Sequence, residues 1–151
     1  MNAANAAKPR VVESQVRVRY AETDAEGVVY YANHFVYMEV GRVNYLRALG
    51  FEPNQWNDSD WGIVVSEASC RYLSPARFDD ILVVRTWVDD IRRSSFAFAY
   101  EIIHAGEERL IAEGRTVQVT VDLQSMRPIG LPPNIRELLS ESSAPSDREH
   151  P

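Results

Sequence analysis

Cysteine is nearly absent from this 151-residue chain, with Cys70 the only one. A single thiol cannot close an internal disulfide, so a core has to hold the fold, and a lone cysteine fits a reducing cytoplasm. Cys70 sits in the strand-like stretch Glu67-Ala68-Ser69-Cys70-Arg71-Tyr72 and reads as a structural thiol rather than a nucleophile. Histidine is scarce too, with three in the chain. No Cys pair and no His-x-x-x-His spacing offers a metal site, and no Gly-x-Gly-x-x-Gly or phosphate loop offers a nucleotide site, so neither metal nor cofactor is expected. No run of about 18 apolar residues exists to insert into a membrane, and Met1 to Arg10 lacks the apolar stretch of a secretory signal. Basic residues are the minority, 16 against 22 acidic ones, for a net charge of -6, which argues against nucleic acid as a partner. That charge also slows the approach of any anionic ligand, so a site for one needs locally clustered arginines.

Apolar residues make up 45% of the chain, enough for one core in one domain. The domain is expected over 11–140. The small, polar tail 1–10 and the Ser/Pro/charge-rich tail 141–151 are expected to be disordered. Five runs carry strand character: Val12 to Tyr20, Ile63 to Leu73, Ile81 to Ile91, Ser95 to Ile103 and Arg109 to Val121. In the first, Val16, Val18 and Tyr20 alternate with Arg17 and Arg19, the period of a half-buried strand. One long helix is expected from about Asn33 to Leu49, ending at Gly50 with Pro53 beyond it. Val36, Val40 and Val43 share a side, and Leu46, Phe35, Leu49, Met38 and Tyr45 continue round it, so this helix should be buried on most sides. A short helix near Asn134 to Leu139 should close the fold. Four strands in succession after one helix imply an α+β domain, with an antiparallel sheet wrapping the helix.

The most unusual stretch joins the first strand to that helix: Tyr20-Ala21-Glu22-Thr23-Asp24-Ala25-Glu26-Gly27-Val28-Val29-Tyr30-Tyr31-Ala32-Asn33. A helix start presents free N–H groups and partial positive charge. A carboxylate just before it, with those donors beside it, has the parts that acyl hydrolysis needs: a base or nucleophile and an oxyanion site. Read from the residues alone, Asp24 capping a turn and Gly27 supplying a positive φ is the simpler account.

The stretch Tyr20 to Asn33, continued by Met38-Glu39-Val40-Gly41-Arg42, resembles the signature of the 4-hydroxybenzoyl-CoA thioesterase family, and especially its bacterial acyl-CoA thioesterase branch, including the members encoded with the Tol-Pal system. Two further blocks carry the likeness: Arg71-Tyr72-Leu73-Ser74-Pro75-Ala76-Arg77-Phe78-Asp79-Asp80 and Met126-Arg127-Pro128. The resemblance implies a hot-dog fold, a curved antiparallel sheet of about five strands around one long helix. It implies an acyl-CoA substrate, with Asp24 as general base or nucleophile and the backbone N–H of Tyr31 as oxyanion donor, which requires Tyr31 to lie in or beside the first helical turn. It implies a homo-oligomer, a dimer or a homotetramer of hot-dog dimers, with active sites at the subunit interface.

The cluster Arg92-Arg93-Ser94-Ser95 is the cationic turn that an anionic coenzyme A would need, with two guanidinium groups and two hydroxyls suited to phosphate. A solvated basic turn is the alternative. His34 is expected on the helix surface, with a place in the site as the alternative; Glu39 is expected in an ion pair with Arg42 rather than against substrate, and Glu67 at an exposed strand position rather than as a second carboxylate in the cleft. Two other functions fit a hot-dog framework: a hydroxyacyl dehydratase, which Asp24 in this motif argues against, and a non-catalytic acyl-CoA-binding or scaffold protein.

Overall fold

The computed structural model describes residues 10–51 and 59–143. Five strands form one antiparallel sheet: β1 (Val12–Arg17), β2 (Trp61–Tyr72), β3 (Ile81–Ile91), β4 (Ser95–His104) and β5 (Arg109–Asp122). Their order across the sheet is β1-β3-β4-β5-β2, so β1 and β2 are the edges. Helix α1 (Asn33–Ala48) crosses one face, and helix α2 (Pro133–Ser142) packs against β3. This is the expected α+β arrangement, the hot-dog layout of one long helix on a five-stranded sheet. No helix among the described residues is long and apolar enough to cross a membrane.

Alternation decides which strand residues face α1. Leu82, Val84 and Val88 of β3, Phe96, Phe98, Tyr100 and Ile102 of β4, and Ala112 of β5 are buried on that side. Phe98 lies edge-on to Tyr45 of α1, and Phe96 edge-on to Phe98. From α1 come Tyr37, Met38, Gly41, Tyr45 and Leu46. At about 1.5–3 kcal/mol for each large side chain buried, this face fixes the helix on the sheet.

The buried face of α1 departs from expectation. Val36 is exposed, and Val40 and Val43 are only half-buried, so the helix is covered on one side and not on most. Gly41 explains the choice of face. A Cβ there would overlap Thr86 Oγ1 and lie 2.9 Å from Val84 Cγ1, so the missing side chain lets α1 approach β3 closely. Gly114 does the same for Met38, whose thioether lies where a Cβ would be.

The first strand is shorter than its alternation implied. It ends at Arg17, Val18 is buried, and the chain turns into a short 3-10 helix, Tyr20–Glu22, that leaves the Tyr20 ring 76% exposed. The end of α1 is as expected, with Gly50 at φ +98 just past it; Pro53 lies outside the described residues. The domain also reaches further than 11–140. The Arg10 N–H donates to the Ser142 carbonyl at 2.7 Å and its guanidinium to the Ala48 carbonyl at 3.1 Å. Ser142 and Ser143 are buried. The rest of both tails lies outside the described residues.

Candidate active site

The loop after β1 is folded by its own polar groups. The Asp24 N–H donates to the Val28 carbonyl at 2.9 Å, the Gly27 N–H to the Asp24 carbonyl at 3.0 Å, and the Glu26 N–H to Asp24 Oδ1 at 2.9 Å. Gly27 sits at φ +81, where a side chain would be strained. The simple account of Asp24 and Gly27 as turn residues is therefore structurally true. It engages one carboxylate oxygen of a half-buried residue and leaves Oδ2 without a partner among the described residues.

Glu22 locks this loop to α1. Its carboxylate accepts the Arg19 N–H at 2.8 Å, two guanidinium donors of Arg19 at 2.9 and 3.1 Å, and the buried Tyr37 hydroxyl at 2.9 Å. Its carbonyl accepts the Tyr30 N–H and Asn33 Nδ2, both at 2.9 Å. Burial pushes the Glu22 carboxyl up, but the Arg19 and Tyr37 hydrogen bonds outweigh it and hold it below its ordinary value. Burial and the same carboxylate drive the Tyr37 hydroxyl upward.

Entry into α1 is tight. The N–H groups of Asn33, His34 and Phe35 donate three residues back, to the carbonyls of Tyr30, Tyr31 and Ala32, at 2.9, 3.3 and 3.1 Å. The donors usually free at a helix start are therefore used. Those of Tyr31 and Ala32 are the ones left, with no acceptor among the described residues. Ala32 is already in helical conformation as the cap, so Tyr31 stands beside the first turn, as the oxyanion assignment requires.

A cavity of about 340 Å³ opens at this corner, lined by Asp24, Val28, Val29, Tyr31, His34 and the β2–β3 connection from Tyr72 to Ala76. His34 belongs to it and is 4% exposed, contrary to its expected surface position. Its Nδ1 lies 2.8 Å from the Tyr31 carbonyl, and its ring meets the Tyr72 ring edge-on at 4.8 Å. Burial lowers its proton affinity below that of an ordinary histidine. Tyr72, to which the sequence pattern assigns no role, donates its hydroxyl to the same carbonyl at 2.9 Å. Burial, with Cys70 beside it, pushes that hydroxyl up to about 12. The Cys70 thiol is half-buried and pushed up by burial, as a structural thiol would be.

The structure does not bring Arg92, Arg93, Ser94 and Ser95 to this cavity within one chain. They form the β3–β4 turn, at the far end of the eleven-residue β3 from the Asp24 corner. Their charge is also partly spent. Arg92 donates to Asp90 at 2.9 Å, a bond that holds the Asp90 carboxyl low, and neighbouring Arg115 pairs with Asp89 at 2.8 Å. The Arg93 carbonyl is tied to Arg136 and Leu131, while its exposed guanidinium has no partner among the described residues. Glu39 pairs with Arg42 at 3.3 Å and is exposed, and Glu67 is exposed on β2.

A family model described as "Thioesterase-like superfamily" matches residues 18–139. The chain belongs to that superfamily. This thioesterase-like chain is 36% identical over 120 residues to the acyl-CoA thioester hydrolase YbgC of Escherichia coli, covering 80% of this chain and 89% of the relative. It is 32% identical over 123 residues to the acyl-CoA thioesterase YbgC of Haemophilus influenzae, covering 80% and 88%. Among solved structures, the DHNA-CoA thioesterase from Staphylococcus aureus superposes with a TM-score of 0.85 at 25% identity, covering 93% of this chain and 96% of that one. The BH1999 gentisyl-coenzyme A thioesterase does so at 0.76 and 27% identity, covering 83% and 99%.

Proposed function

We propose that this thioesterase-like chain hydrolyses an acyl-CoA thioester to the free acid and coenzyme A, with Asp24 as the catalytic carboxylate and the backbone N–H groups before α1 as the oxyanion site. The relatives' activities support the reaction class. The observation that carries the residue roles is the corner itself: on the same cavity, a carboxylate oxygen and the Tyr31 N–H that have no partner among the described residues. Apolar Val28, Val29, Leu73, Pro75 and Ala76 line much of the remainder, which suits an acyl group.

The carboxylate takes a proton from water as the water oxygen bonds to the thioester carbon, or it bonds to that carbon itself. Either way the carbonyl oxygen becomes negative and accepts the free N–H groups. Collapse breaks the C–S bond and expels the coenzyme A thiolate, a leaving group good enough to need no acid. On the direct route, water then cleaves the anhydride. In a single turnover in oxygen-18 water, label in the Asp24 carboxyl marks the direct route with water attacking the Asp24 carbon of the anhydride, whereas general-base attack puts the label in the free acid alone.

The working unit we propose is a two-fold dimer through the β2 edge, from which a homotetramer would be built. Val65 to Ser69 of that edge are exposed in the single chain, and a long unpaired edge calls for a partner. Antiparallel pairing of two β2 strands sets the start of one against the end of the other. Ser95 pairs with Val119, and Val119 with Val64 near the start of β2, whereas Tyr72 ends β2 beside Asp24. The partner's Arg92–Ser95 turn would therefore come to the Asp24 end, where it could receive the coenzyme A phosphates. Sedimentation equilibrium with an activity assay over a dilution series tests this; a fully active monomer would refute it.

A further inference from the structure

The carbonyl of Tyr31 gathers three donors: the Tyr72 hydroxyl at 2.9 Å, the His34 ring Nδ1 at 2.8 Å and the His34 backbone N–H at 3.3 Å. A carbonyl oxygen only accepts, so the proton of the His34 ring must be on Nδ1. Tyr72 closes β2 and His34 opens α1, so the two side chains reach this oxygen from different elements, and their rings brace each other at 4.8 Å.

That carbonyl belongs to the peptide whose N–H is Ala32. The peptide is planar and trans, so a carbonyl held on the helix side directs its N–H out of the helix start. Hydrogen bonds to one end of a peptide strengthen the donor at the other. Resting on the function proposed above, we propose that Tyr72 and His34 are positioning residues that clamp the Tyr31–Ala32 peptide, making the Ala32 N–H a second, fixed and polarised oxyanion donor beside that of Tyr31. His34 acts through its Nδ1 donor and not as a proton carrier.

The test uses Tyr72→Phe, His34→Leu and His34→Asn in the full chain. Asn can place its amide N–H where Nδ1 stands, whereas Leu cannot. Weakening an oxyanion donor should cost less than the 10²–10³ of deleting one, so Tyr72→Phe and His34→Leu should each lower kcat roughly five- to tenfold with KM unchanged. His34→Asn should keep kcat within about twofold of wild type and preserve the pH profile. In the folded protein without substrate, the Tyr31 carbonyl-carbon NMR signal should move upfield in Tyr72→Phe and His34→Leu and stay in place in His34→Asn. Tyr72→Phe removes one hydroxyl from a half-exposed side chain, so it keeps the test open should His34→Leu fail to fold. Unchanged kcat in both donor-deleting variants overturns the clamp. So does a His34→Asn variant as slow as His34→Leu, which would make His34 a proton carrier. A wild type inactive on every acyl-CoA overturns the hydrolase reading instead, and the carbonyl signal then decides the clamp: no movement refutes it.

Discussion

The two ends of the sheet are built in opposite ways. At the Asp24 end, backbone and buried side chains fix a loop, a helix start and a cavity within a single chain. At the Arg92 end, charges stand in solvent and are largely answered by Asp89 and Asp90. Eleven residues of β3, roughly 35 Å at about 3.3 Å per residue, separate them. On the reading proposed above, the chemistry would be local to the chain, whereas holding a long charged substrate would take a second copy. A net charge of -6 sharpens the point, because an arginine already paired with a carboxylate, as Arg92 is with Asp90, attracts phosphate weakly in open solvent.

The strongest way to test this contrast is to disable the Asp24 end alone. Asp24→Asn should lower kcat/KM about 10³-fold, the usual scale for losing an acid–base group. The melting temperature should hold, because the Asn carbonyl can still accept the Glu26 N–H; thiol release and thermal melting measure the two. Turnover near wild type would remove Asp24 from the chemistry. Disabling the other end with Arg92→Ala and Arg93→Ala together should raise KM for coenzyme A esters about tenfold. That is the lower end of a charged hydrogen bond because Arg92 is exposed and already paired. A truncated pantetheine thioester should not feel the change; an equal loss on both substrates would make the turn merely structural.

Mixing the variants asks whether the ends meet across subunits. Hybrids co-purified on two tags, with Asp24→Asn in one chain and the double arginine variant in the other, carry one site with both ends intact. They should recover wild-type KM for coenzyme A esters at about half the wild-type kcat. About half the wild-type kcat with KM still tenfold high would mean that each chain's arginines serve its own Asp24. The smallest effect concerns stability. The folded Glu22 carboxyl lies below its ordinary 4.5, so its bonds contribute fully above pH 4.5 and are lost as pH falls through the folded value. Melting curves of wild type should therefore fall more steeply with acid than those of Glu22→Gln.

Strand and helix limits were largely legible because they depend on local signals. The expected bounds of β3 match, and α1 starts at Asn33 and stops before Gly50 as expected. What failed depended on which surface the sheet would cover. The Val36, Val40 and Val43 stripe suggested burial, but the sheet lies on the side where Gly41 permits contact with Thr86 and Val84. Tyr20 kept the β1 alternation in sequence, yet the chain had already turned. His34 was read as a surface residue because a polar side chain on a helix usually is, and the carbonyl that accepts its proton becomes visible only once Tyr31 is placed. The Arg92–Arg93 pair was legible as charge. What was not legible is that Asp90 answers only Arg92, leaving Arg93 without a partner among the described residues, while neighbouring Asp89 is taken by Arg115 through strand pairing.

The Asp24 loop is sewn down along its length: Glu22 to α1, Asp24 to Val28, and the Val29 N–H to the Ala76 carbonyl at 2.8 Å. The amides of Val29 and Tyr30, bonded to the Ala76 and Glu22 carbonyls, are the ones held across the loop, so in deuterated water they should exchange more slowly than the exposed turn at Ala25 to Gly27. Hydrolysis at this loop, as proposed, would need no closing movement of the loop itself. The pace of turnover would then be set by how quickly acid and thiol leave a corner that stays the same shape throughout.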